Sequence, residues 1–151
     1  MRLLKAPAAL PRDQSAGFEV EPERLSSGRV NPLTLQTLEK MRLSTDGYRS
    51  KSWEEFARPD SPHLDFVFTV CDQAAGEMCP VWPGQPMTDH WGVPDPAAFA
   101  GPGEKRSQEF MNVAITLKRR IELMLALPIH RLDAIAIQRQ VRDIGKQCRT
   151  P

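Results

Sequence analysis

Leu64-Asp65-Phe66-Val67-Phe68-Thr69-Val70-Cys71 is the stretch that decides the fold class. Leu64, Phe66, Phe68 and Val70 alternate with Asp65, Val67 and Thr69. Both alternating sets are largely apolar. That pattern predicts a strand covered on both faces, as in a parallel sheet between helices. Outward from it the spacing changes to the helical period. Asn31 is a good N-cap and Pro32 suits the first helical position, so a helix is predicted from there, through Leu35 and Leu38, to about Leu43. Ser52 caps a short predicted helix over 53–57, with Glu54 and Glu55 at its positive end. Met87 to Gly92 supplies a further strand. From Gly103 to Leu127, Phe110, Val113, Leu117, Ile121 and Leu125 recur at steps of three and four. Lys118, Arg119 and Arg120 then fall on the wet side. A last helix runs from Asp133 to Ile144, with Ile137, Val141 and Ile144 inward and Gly145 as its stop. Helix, strand, loop, strand, helix, helix is the order of an α/β layer domain.

The N-terminal part reads differently. Residues 1–16 show neither period, and Pro7 and Pro11 argue for irregular chain. Gly17 to Glu21 is at most a short edge strand. The division expected is an irregular segment over 1–25 followed by one domain over 26–147.

Composition narrows the function classes. The 151 residues carry 20 Lys plus Arg and 19 Asp plus Glu, a net charge of +1. Such balance gives no bulk electrostatic reason to bind nucleic acid or anionic lipid. Three cysteines are too few for a disulfide framework and fit a reducing cytosol, so the cytoplasm is the expected location. The longest apolar run, Leu123 to Ile129, has seven residues. A membrane helix needs roughly 20. No cofactor motif is present, and the sequence specifies no oligomeric state.

The residues suited to chemistry cluster between Cys71 and Ala98. Groups that act in open α/β sheets gather outside the carboxyl ends of strands, where the strand reading places Cys71. Cys79 lies eight residues on, in a loop. Two ordinary buried thiols are the plain alternative. A zinc site of Cys71, Cys79 and His90 would need spacings unlike the short Cys-x2–4-Cys signature. Asp95, beside Pro96, either caps a helix or holds a carboxyl group at a site mouth as a general acid. Trp53, Trp82 and Trp91 read as core or loop anchors.

Three pieces of the chain carry a resemblance. They are Gly28–Pro32 with Arg49–Phe56, then Asp65–Cys71 with Cys79-Pro80-Val81-Trp82-Pro83-Gly84, and His90-Trp91-Gly92-Val93-Pro94-Asp95-Pro96-Ala97. Together they resemble the bacterial arsenate reductases built on the low-molecular-weight protein tyrosine phosphatase fold, over about residues 26–147. The resemblance implies a three-layer α/β fold with a parallel sheet and flanking helices. It implies arsenate or a phosphate-like oxyanion as substrate, with thioredoxin or another thiol donor as reductant. It matches Cys71 and Cys79 to the two resolving cysteines that pass a disulfide outward, and Asp95 to the general acid.

One element of that family is missing. Its nucleophile sits in a Cys-x5-Arg loop after the first strand, where backbone N–H groups cradle the oxyanion. Here position 77 is Glu and position 85 is Gln, so neither Cys71 nor Cys79 begins such a loop. Cys148 has no residue six places on. The hydrophobic first strand is also missing or replaced. Two functional readings follow: an arsenate reductase relative inactive in this form, or a non-catalytic pseudo-phosphatase acting as a binding or redox-partner module.

Overall fold

The computed structural model describes residues 3–4, 30–48, 55–56, 58–71 and 82–147. The expected strand at 17–21, most of the short helix at 53–57, Trp53, Cys79 and Cys148 lie outside them. The chain divides into two compact units. One is Met1–Val30 with Asp46–His90, the other Asn31–Thr45 with Trp91–Pro151.

The first unit is built on strand β2, Phe66–Cys71. Its side chains from Phe66 to Val70 are all buried, Val67, Phe68 and Val70 to 1% exposure. Burial on both faces is what its doubly apolar pattern predicts, and the Phe66 and Phe68 rings stack at 6.1 Å. On one side runs β3, Met87–Val93. The Met87 N–H donates to the Asp65 carbonyl at 2.9 Å, and Thr69 meets His90 four residues further along β2. Partners that advance together along both strands make this pair parallel. On the other side is β1, Leu3–Leu4, antiparallel, with Leu3 opposite Thr69 and Leu4 opposite Phe68.

β1 departs from the expectation in two ways. It places a strand within residues read as irregular, and it makes the sheet mixed rather than wholly parallel. The physical reason is that two apolar residues suffice for an antiparallel edge pairing, which needs no helical crossover. Two residues are also too few to show any periodicity. The remaining architecture is mixed helix and strand with a two-strand parallel pair, compatible with the α/β reading.

Below the sheet, Leu64, Val67 and Trp82 form a buried cluster against which Phe56 packs. The chain leaves Trp82 through a turn at Gly84, φ +81°, where a Cβ would stand 2.8 Å from the His63 ring. Glycine therefore serves there both for its backbone angle and for the close approach.

The second unit is helical. In α1, Pro32–Lys40, the Asn31 side chain accepts from the Leu33 N–H at 2.9 Å, the cap its sequence predicts. The helix stops at Lys40, before the expected Leu43, because Arg42 turns left-handed at φ 58°. α2, Gly103–Leu125, packs against α1, α3 and the 3-10 turn at Pro96–Ala98. α3, Ala134–Lys146, is capped by Asp133, whose carboxylate accepts from the Ala136 N–H at 2.8 Å. Its buried residues are Ile137, Val141 and Ile144, as its periodicity predicts.

Two expectations are corrected in this unit. The inward face of α2 is Phe110, Val113, Arg120 and Met124, while Leu125 is 39% exposed. The apolar stripe read from the sequence drifts by one residue after Leu117, so Arg120 is not on the wet side. Lys118 and Arg119 are, and Lys118 pairs with Glu122. Second, Gly145 does not stop α3, which continues to Lys146. Its lack of a side chain serves Trp91, because a Cβ at Gly145 would lie 2.6 Å from Trp91 Cδ1.

That contact gives a stability prediction. Gly145→Ala gains up to about 1 kcal/mol of helix propensity. It also drives a methyl into a fully buried indole, an overpacking cost of about 1–3 kcal/mol. The clash should win, and the urea midpoint is expected to fall with an unchanged slope. A midpoint that rises would show that Trp91 moves aside freely.

Candidate active site

The residues singled out for chemistry follow the carboxyl ends of strands. Cys71 is the last residue of β2, in the first unit. Cys79 lies outside the described residues. Asp95 stands two residues beyond β3, in the second unit.

Asp95 caps a turn. It precedes the 3-10 turn Pro96–Ala98, and its Oδ1 accepts the Ala97 N–H at 2.9 Å. The Ala98 N–H closes the same turn on the Asp95 carbonyl at 3.2 Å. Asp95 itself is half-buried and Pro96 is buried. Capping does not exclude proton transfer. The turn holds one carboxylate oxygen and leaves the other without a part in the cap.

Two features of this region escaped the sequence reading. On β3, His90 shares a 2.7 Å hydrogen bond between its Nδ1 and Thr69 Oγ1 on β2. His90 is exposed, and the cross-strand bond orders its ring. The zinc reading includes Cys79, which lies outside the described residues; among the described residues no three His, Cys, Asp or Glu side chains gather closely enough to hold a metal ion.

The second feature is Arg120, 1% exposed. Its Nη1 donates to the Trp91 carbonyl at 2.7 Å and to the Gly92 carbonyl at 3.3 Å. Trp91 is itself fully buried, and its indole N–H donates to the Val141 carbonyl of α3 at 3.1 Å. A buried guanidinium needs hydrogen-bond acceptors to offset its desolvation, and the end of β3 supplies two carbonyls to Nη1. The signal that could have found it is the continuation of the stripe from Val113 by seven residues to Arg120 and four more to Met124. Trp82 and Trp91 are core anchors, as expected.

No family model matches the chain. Over 93 residues it is 28% identical to an arsenate reductase of Staphylococcus xylosus. The relationship is arsenate reductase-like. The matched stretch covers 62% of this chain and 63% of the relative, so the chain spans less than two thirds of that protein's length. Among the described residues, no helix is long and apolar enough to cross a membrane.

Proposed function

We propose that the chain descends from arsenate reductases of the low-molecular-weight phosphatase type and keeps their thiol-relay part without their nucleophile. The similarity over 93 residues to an arsenate reductase carries the reading, together with the absence of Cys-x5-Arg from the 151 residues. Cys71 and Cys79 are the resolving pair. Asp95 occupies the general-acid position, and its turn-fixed carboxylate supports that role. The substrate class of the lineage is arsenate or a phosphate-like oxyanion. The reductant is thioredoxin or another thiol donor in a reducing cytosol.

The chemistry left to this form is thiol exchange. A donor thiolate attacks one sulfur of the Cys71–Cys79 disulfide and forms a mixed disulfide. The donor's second thiol then releases the chain as a dithiol. Two electrons and two protons move from donor to chain, and the donor ends as its disulfide. Without a nucleophile to form an arsenic adduct, arsenate does not regenerate the chain disulfide, so with no other oxidant present the relay runs once. The missing loop is also what the second reading expects, a non-catalytic pseudo-phosphatase acting as a binding or redox-partner module.

Oxidised chain mixed with thioredoxin, thioredoxin reductase and NADPH separates the two. The relay reading expects one equivalent of NADPH consumed in a single burst that arsenate does not prolong. No burst would leave the binding module as the better reading.

A further inference from the structure

We infer that Arg120 is a positioning residue for Asp95, holding the carboxylate in place through the backbone that leads to it. This deepens the reading of Asp95 as the general acid and rests on it for its functional meaning. The structural argument stands on the second unit alone.

The guanidinium grips two consecutive carbonyls, those of Trp91 and Gly92, which lie four and three residues before Asp95. Gly92 has the widest torsional range in this stretch. Beyond it the chain has little freedom. Pro94 has a fixed φ, and so has Pro96. Val93 and Asp95 each precede a proline and are thereby confined to extended backbone. Asp95 takes that form, φ −74° and ψ 110°. Val93 is buried and Pro96 is buried. Fixing the Gly92 carbonyl therefore fixes Asp95, because the intervening torsions cannot absorb a displacement.

The same helix holds the far side. Arg106 Nε donates to the Phe99 carbonyl at 3.2 Å, four residues after Asp95. The turn Pro96–Ala98 packs on α2 between these grips. Asp95 is thus carried on a segment held at both ends by arginines of one helix. The inner grip is a single nitrogen, Nη1, shared between two consecutive carbonyls. Trp91 is itself anchored to the Val141 carbonyl and packed at Gly145.

The test follows backbone signals, because they report the turn and not a reaction. In the unsubstituted chain, a guanidinium NMR signal of Arg120 with slowed proton exchange and contacts to the Trp91 and Gly92 α-protons is expected. A freely exchanging one overturns the proposal. Arg120→Met should raise Ala97 amide exchange about tenfold, the loss of one ordinary hydrogen bond, and move the Asp95 side-chain carbon signal. Exchange at Val113 and Ile137 should change much less. Arg120→Lys, which keeps the charge and an ammonium on a shorter, unforked stem, should give an intermediate Ala97 rate, and it serves if Arg120→Met does not fold. Native Ala97 and Asp95 signals in a folded variant would overturn the proposal. So would a uniform rise at all amides, the mark of a merely stabilising residue. If Asp95 holds no acid role, these signals remain as described and the failure appears only in the NADPH stoichiometry and arsenate chemistry of the proposed function.

Discussion

Thioredoxin-coupled arsenate reduction by the 151-residue chain is expected at background level, and aryl-phosphate hydrolysis likewise. Both reactions begin with a thiolate attacking an oxyanion that backbone N–H groups and an arginine have already neutralised. The sequence has no Cys-x5-Arg to make that cradle. Asp95 can donate a proton only after such an attack, so its fixed turn supplies nothing by itself. Arg120 cannot replace the missing arginine. It is 1% exposed and its donors are directed to the Trp91 and Gly92 carbonyls. Ordinary enzymes turn over at ~1–1,000 per second. The expected loss is therefore at least about a thousandfold, and a steady-state assay with excess thioredoxin measures it. Sustained turnover within the ordinary range would contradict the proposed division between a retained relay and a lost nucleophile.

The second large effect is all-or-none: mild oxidation should convert Cys71 and Cys79 to an intramolecular disulfide. Cys71 closes β2 at the boundary of the described residues, and the sequence then runs Asp72, Gln73, Gly76 and Glu77 before Cys79. Those residues favour turns and exposure over a fixed place in a core. Eight positions separate the two cysteines, so closing the ring costs little chain entropy. Thiol titration of the unfolded oxidised chain should find one of the three cysteines reactive, and dithiol treatment should restore all three.

The two units differ in how openly the sequence displays them. β2 is legible because both its alternating sets are apolar. α1 and α3 are legible because Asn31 and Asp133 are capping residues followed by the right period, and the structure shows each side chain accepting a backbone N–H. What escapes the sequence is long-range. Nothing in Leu3-Leu4 announces a pairing with Thr69 and Phe68. Gly145 looks like a helix stop until Trp91, over fifty positions earlier, is seen against it. Arg120 looks solvated because hydropathy prefers its neighbour Ile121 at the inward position. The competing term is the pair of β3 carbonyls, which only the fold brings to that face. The candidate site follows the same rule. The capping side of Asp95 is local and readable from Asp-Pro. The arginines that hold its segment, and the bond between His90 and Thr69, are tertiary.

The central claim is that the resolving pair survives as a working thiol couple. Peptide mapping of the folded chain after mild oxidation, with and without reduced thioredoxin, tests it most directly. A Cys71–Cys79 linked peptide that disappears when thioredoxin is added, with Cys148 free throughout, is the expected result. Cys71 and Cys79 both remaining as thiols, or Cys148 emerging as the dominant disulfide partner, would contradict it.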